Sequence, residues 1–165
     1  MSPFDEYRLV GMRHAVPADA PAIAEYHHRA RVEEYRGAVT DDVLDALNPL
    51  DRIIQWNAWL SNGSPHTTMV AEHEGAPVGH VTVLDDEILH VYVDPDHWGQ
   101  GLGRRLLDAG EQLLKSAGFD HVFLQTHDYN HRAIKLYLKS GWAMTGDTVR
   151  YDVGIGGHIM EKHLQ

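Results

Sequence analysis

The order of segments in this 165-residue chain predicts a mixed α/β fold. The expected architecture is a mostly antiparallel central sheet with one parallel strand–helix–strand unit and flanking helices. Three observations carry that reading. Apolar residues recur at helical spacing from Ile23 to Leu60, and the period then switches to two between Thr67 and Val93. Three strand-like segments follow one another in that second region with only tight turns between them, which favours an antiparallel meander. A run of glycines joins the last of these strands to a long amphipathic helix. A further strand comes next, and a helical crossover of that length makes the two strands parallel.

Taken in order, Tyr7 to Met12 is a first strand, and Ala15 to Pro21 turns the chain out of it. Asp19 is a good N-cap with Pro21 in the first helical turn, and Ile23, Tyr26, His27 and Ala30 give the helix one face as far as about Glu34. Gly37 breaks it. Thr40 opens a short helix bearing Val43, Leu44 and Leu47; Asn48-Pro49 opens another bearing Ile53, Trp56, Trp59 and Leu60. Thr67 to His73 and Pro77 to Leu84 form a hairpin across Glu74-Gly75-Ala76, and Asp85-Asp86 turns into the fourth strand, Glu87 to Val93. The long helix carries Leu102, Leu106, Ala109, Leu113 and Ala117, with Gly118 just beyond it. His121 to Thr126 is the fifth strand and Asn130 to Ser140 a helix. Trp142 to Thr148 and Ile159 to Leu164 are closing strands joined across Gly154 to Gly157.

Composition narrows the function classes. A hydrophobic content of 43% suits one globular domain over residues 1–165 with a proper core. No apolar run is long enough to span a membrane, and the first residues lack the pattern of a signal peptide, so a cytoplasmic protein without a membrane partner is expected. The absence of cysteine excludes disulfides, thiolate metal sites and acyl transfer through a cysteine nucleophile. A formal charge of −10 speaks against nucleic acid as a partner. Of the 13 histidines, His127 and His131 stand four apart but without the Glu of a metalloprotease helix, and His27 and His28 are adjacent, so no metal is expected.

The segment Val91 to Leu107 organises the chain. Three glycines, Gly99, Gly101 and Gly103, sit where a helix begins, and unpaired amides and the positive end of the helix dipole suit a phosphate there. No Lys follows as in a P-loop. The third glycine of a dinucleotide fingerprint would fall on Arg104 or Leu106, so both of those readings fail. The stretch Trp98-Gly99-Gln100-Gly101-Leu102-Gly103 instead resembles motif A of the GNAT superfamily of acyl-CoA N-acyltransferases, with Trp98 where that motif has Gln or Arg. Asn130, Ala133, Leu136, Tyr137 and Gly141-Trp142 are similar to its motif B. The likeness covers most of the chain, strongly from Val78 to Trp142 and weakly before Thr67.

That resemblance implies direct transfer of an acetyl group from acetyl-CoA to a primary amine of a small molecule or peptide, in a GNAT-like domain for which a homodimer is allowed. It implies pyrophosphate on the amides of Gly99, Gln100, Gly101, Leu102, Gly103 and Arg104. It implies pantetheine along Val91, Tyr92 and Val93, with Asn130 and Ala133 against the arm and Tyr137 beside the sulfur. Glu87, at the start of the fourth strand, is the implied general base, with His90 or water as rivals, and Tyr137 the general acid. Each has a plainer role: Asn130 as a helix cap, Tyr137 as a core aromatic, Glu87 as a turn acid beside Asp85 and Asp86. The resemblance puts the acceptor among the first helices and last strands, with Tyr35, Arg36, Trp56, Trp59 and Tyr151 as candidate contacts; core packing is their plainer role and the favoured one for the tryptophans. Acids at 41, 42, 45, 85, 86 and 87 suggest a cationic acceptor. A CoA-binding sensor without turnover is the alternative function.

Overall fold

The structure is a computed structural model and describes residues 11–151 and 154–165. The elements are β1 (Gly11–His14), α1 (Ala20–Tyr35), α2 (Asp41–Asp45), α3 (Pro49–Trp59), β2 (Thr67–His73), β3 (Ala76–Leu84), β4 (Glu87–Val93), α4 (Leu102–Ser116), β5 (His121–His127), α5 (His131–Lys139), β6 (Ala143–Arg150) and β7 (Gly156–His163). The described strands form one seven-stranded sheet in the order β1-β2-β3-β4-β5-β7-β6. All neighbours are antiparallel except β4 and β5. The expected mixed sheet with its parallel strand–helix–strand unit is present.

The hydrophobic stripe of α4 explains where the core lies. Leu102, Leu106, Leu107 and Leu114 share one face of that helix and pack against Val81, Ile88, Val122 and Leu124 of the sheet, joined by Leu136, Tyr137 and Trp142 from α5 and the turn after it. The opposite face of the sheet is covered by α1 and α3. Ile23, Tyr26 and Trp56 bury themselves there against Val70, with Tyr92 alongside. A third, smaller cluster of Tyr35, Leu44 and Ile155 ties the end of α1 to the approach to β7.

Three departures from expectation bear on how the chain is fastened together. Residues 7–10 of the first expected strand lie outside the described residues, and the strand that pairs with β2 runs on to His14. Asp19 precedes α1 as expected but caps nothing of α1 with its side chain. Its carboxylate is held by both terminal nitrogens of Arg13 (2.8 and 2.9 Å) and by the Val16 amide (2.8 Å), so it fastens β1 to a short 3-10 turn at Pro17–Asp19. β7 begins at Gly156 rather than Ile159, and the glycines expected to be loop are strand. A β-carbon on Gly157 would stand 2.6 Å from the Thr126 carbonyl, so only glycine lets β7 approach β5 there.

The feature that matters for function is how β4 and β5 meet. They pair only at Glu87–Phe123 and Ile88–Leu124, and beyond Ile88 they diverge. The edge of β4 from Leu89 to Val93 that faces β5 therefore has no strand partner, while its other edge stays paired with β3.

Candidate functional site

The splayed edge ends in the glycine turn. Asp94 to Trp98, a five-residue spacer in the sequence, folds as a 3-10 turn capped by the Asp94 carboxylate accepting from the Asp96 amide (3.0 Å). Gly99 and Gly101 then take φ of +77° and +81°, and Gly101 is the N-cap of α4. A β-carbon on either would meet nothing within 4 Å. The turn therefore needs glycine for its left-handed backbone, and the space beside it is open for a ligand's close approach. Gly103 differs: a β-carbon there would come within 3.3 Å of Leu136, so this glycine also sets how closely α4 lies on α5.

Trp98, the departure from motif A, has a structural explanation. Its indole N–H donates to the Val93 carbonyl (2.9 Å) and pins the turn to the end of β4. The guanidinium of Arg132, at the start of α5, lies over its ring at 4.3 Å. A cation thus reaches the turn from a different helix instead of from position 98. Arg104 spends its charge on Asp108 at 3.1 Å.

A cavity of about 470 Å³ runs along these parts. Of the residues expected to hold the co-substrate, Val91, Tyr92, Val93, Gly99, Gly101, Leu102, Gly103, Arg104, Asn130, Ala133 and Tyr137 all line it; Gln100 alone does not. The Asp94 amide donates to Val78 on β3 (2.8 Å), so by strand alternation the amides of Tyr92 and Asp94 face β3 and those of Val91 and Val93 face the gap.

A second cavity, of about 730 Å³, opens on the other side of the splay and is walled by α1, α3 and the ends of β4 and β5. Glu34, Val91, Tyr92, Asn130, Ala133 and Tyr137 line both cavities and mark where they join. Asn130 does two jobs, capping α5 through the Ala133 amide (3.2 Å) and hydrogen-bonding to Glu34. Sequence reasoning missed Glu34. Burial pushes its carboxyl up to about 7 against the opposing pull of Arg31 and of hydrogen bonds to Tyr92 and Asn130. Its only signal in the sequence is a carboxylate at the last turn of a helix whose neighbour Tyr35 is apolar-facing, which is too common to single out.

The second cavity holds Glu87, whose carboxyl is raised by burial and then by Asp86. His90 lines it too, but burial and then Arg52 and Arg31 drive its imidazole down to about 3, so it is neutral near pH 7 and a poor proton acceptor. Tyr137 is buried, and burial followed by the charge of Glu34 raises its hydroxyl, which keeps it protonated. Of the expected acceptor contacts, Tyr35, Trp59 and Tyr151 line this cavity. Trp56 is core, fully buried and donating to His27 Nδ1 (3.0 Å), and Arg36 is an exposed partner of Glu33. The acidic mouth is also corrected: of the six acids named, Glu87 alone lines the cavity, whereas Arg31 and Arg52 do.

Beneath the second cavity His27, His80 and His90 bring ring nitrogens within 4.8 Å of one another. Trp56 can only donate, so the His27 nitrogen it reaches carries no hydrogen and neutral His27 keeps its proton on Nε2, the atom left to face a metal. Burial lowers all three imidazoles, so they are neutral near pH 7. His80 Nδ1 lies 2.7 Å from the Tyr26 hydroxyl, while His80 Nε2 and His90 Nδ1 are buried without a hydrogen-bond partner among the described residues.

Comparison with known proteins agrees with this geometry. A family model described as acetyltransferase (GNAT) family matches residues 28–142, which include both cavities' shared residues and both glycine-turn and α5 motifs. The chain belongs to the GNAT acetyltransferase family. Among its GNAT relatives is the L-amino acid N-acyltransferase MnaT of Escherichia coli, 31% identical over 146 residues, 82% of this chain and 81% of the relative. A mycothiol acetyltransferase of Propionibacterium freudenreichii is 36% identical over 86 residues, 52% of this chain but 25% of that protein's length. A GCN5-related N-acetyltransferase from Rhodopseudomonas palustris superposes with a TM-score of 0.77 at 26% identity, covering 94% of this chain and 96% of that one. The Salmonella typhimurium protein yncA, solved with its cofactor acetyl-CoA, shares the fold at a TM-score of 0.70 and 23% identity over 94% of both chains. No helix among the described residues is long and apolar enough to cross a membrane.

Proposed function

We propose that this protein transfers an acetyl group directly from acetyl-CoA to the primary amine of a small molecule or peptide. The observation that carries the reading is the meeting of two cavities at one unpaired stretch of β4, with a glycine turn at the far end of the first. The first runs along β4 to the glycine turn, which suits a long molecule that ends in phosphate. The pyrophosphate of acetyl-CoA rests on the amides of the Gly99–Arg104 turn, where the dipole of α4 and the guanidinium of Arg132 favour an anion. Its pantetheine arm lies along β4 as a further strand would, against the inward amides of Val91 and Val93. One of those amides polarises the thioester carbonyl.

The amine enters from the second cavity. It must be neutral to attack, and Glu87, at the base of β4 with its carboxyl raised by burial, takes the proton directly or through water. The thiolate that leaves is protonated by Tyr137. The tyrosine is a weaker acid than when free in water, but the burial that raises it raises a neighbouring thiol as well, so the gap between them is narrower than its own shift. Release of CoA thiol over time with a panel of primary amines tests the proposal. Release that requires the amine supports it. Tight acetyl-CoA binding with no amine-dependent release would leave the non-catalytic sensor reading instead.

A further inference from the structure

The wall of the acceptor cavity formed by α1 and α3 carries two guanidinium groups that the transfer chemistry does not use. Arg31 lies one helical turn before Tyr35, donates to its hydroxyl (3.1 Å) and rests against its ring, with the guanidinium carbon 5.3 Å from the centroid. That contact holds the head group in place inside the cavity. Arg52 reaches the same cavity from α3, on the face that also presents Gln55 and Trp59. Among the described residues neither arginine forms an ion pair. By contrast, Arg13, Arg29, Arg36 and Arg104 each have a carboxylate within 3.1 Å. The two charges oppose each other: Arg52 is pushed below its ordinary pKa by burial first and by Arg31 next. Arg31, against its own burial, is raised by Tyr35, Tyr92 and Glu34, so the repulsion falls on Arg52, and an anion between the two guanidinium groups would relieve it.

We infer that Arg31 and Arg52 bind the carboxylate of the acceptor, which makes the acceptor an α-amino acid or a close analogue rather than a simple or polycationic amine. Arg31 and Glu34 are three residues apart on α1, so their side chains lie on the same face separated by about 5 Å of helix rise. Glu34 marks the junction with the co-substrate cavity, and Arg31 stands one turn away from it. An acceptor held by its carboxylate at Arg31 and Arg52 would therefore present an amine attached only one carbon away to the junction at Val91. A diamine or aminoglycoside has no carboxylate to offer the two arginines. The side chain of the amino acid would point along the remaining wall, toward Leu47 and Trp59.

This inference rests on the acetyltransferase reading for its chemistry, and the test separates the two. Matched acceptors are compared with acetyl-CoA: leucine with isoamylamine, phenylalanine with phenethylamine, alanine with ethylamine. Each pair is also titrated by calorimetry in the presence of CoA. At least one carboxylate member should be preferred over its decarboxylated partner by about tenfold or more in kcat/KM, as expected for charge-assisted hydrogen bonds to a carboxylate. Arg52→Gln, and separately Arg31→Gln, should shrink that ratio about tenfold, mainly by raising KM for the amino acid. Arg52→Lys should restore part of it, since the charge remains without the planar fork. A carboxylate member preferred in no pair, or a ratio unmoved in both Gln variants, overturns the inference while leaving acetyl transfer standing. Calorimetric binding of amino acids that is lost in the Gln variants, with no acetylation of any amine, keeps the inference and overturns the acetyltransferase reading. No binding and no transfer overturns both.

Discussion

The two cavities that meet at Val91 are made of different materials. The first cavity, proposed for the co-substrate, is mostly backbone: amides of a strand edge, a glycine turn at +77° and +81°, and the start of a helix, with Trp98 and Arg132 among its long side chains. The second cavity, proposed for the acceptor, is mostly side chain: two arginines, two carboxylates, histidines and tyrosines gathered from several elements. A site of backbone is set by the path of the chain and tolerates most changes of side chain. A site of side chains from four elements can be re-lined without touching the fold. On the proposed assignment, one fold can keep a common co-substrate while its acceptor changes, and mutations should separate the two halves.

The largest effect is expected at the turn. Gly101→Val puts a branched β-carbon into a left-handed position that faces open cavity, so acetyl-CoA affinity should fall on the order of 10² or more. Calorimetry on a variant shown to be folded by circular dichroism reads this directly. Gly103→Val should behave differently, losing melting temperature as well as affinity, because its new methyls meet Leu136 on α5. Equal loss of acetyl-CoA affinity in Gly101→Val and Arg52→Gln would erase the division between the cavities.

Next comes Tyr137, which lines both sides. Tyr137→Phe keeps the buried ring and removes its proton, so kcat should fall on the order of 10² with little change in acetyl-CoA affinity. Turnover near normal in a folded variant would return Tyr137 to the core aromatic role. Glu87→Gln should also depress kcat, by about 10² or more, with the loss concentrated at pH values where the amine is still largely protonated. A variant as fast as the parent across the pH range would remove Glu87 from the proton's path.

The same division decided what could be read from the sequence. The turn, β4 and α5 were legible because glycine spacing and strand-to-helix order encode a backbone path locally, and eleven of the twelve expected co-substrate residues line the first cavity. Gln100 was included for its place in the motif, but a lining is selected by which way each residue of the turn points. The arginine that serves the turn was not legible, because Arg132 reaches Trp98 only through the packing of α5 on α4. The acceptor wall was least legible of all. Net charge of −10 pointed to acids, yet Arg31 and Arg52 converge there from helices that only the tertiary fold brings together. For Trp56 core packing is the favoured reading over an acceptor contact, and it is the buried center of the α1–α3 layer.

Glu34 belongs to both cavities, and the smallest predicted effect concerns it. Its folded carboxyl titrates at about 7, whereas in the unfolded chain it would titrate near 4.5. The folded protein therefore holds a proton that the unfolded chain releases between those two values. The associated stability is fully present below about pH 4.5, is lost progressively as pH rises, and is gone above about pH 7. Across the window the change is at most about 3 kcal/mol, and less to the extent that water reaches the group. Glu34→Gln keeps the shape and the capacity to hydrogen-bond with Tyr92 and Asn130 but cannot titrate. The melting temperature of the variant minus that of the parent should thus be more favorable at pH 8 than at pH 5, by a few degrees for a chain of this size. Comparing the two proteins at each pH cancels the titration of every other group. CoA should shift the parent's transition further if the arm contacts this carboxylate, because a desolvated neighbor raises it again. A difference in melting temperature that stays flat from pH 5 to 8 would show an ordinary carboxylate at the junction, and Glu34 would then be no more than a hydrogen-bond acceptor for Asn130.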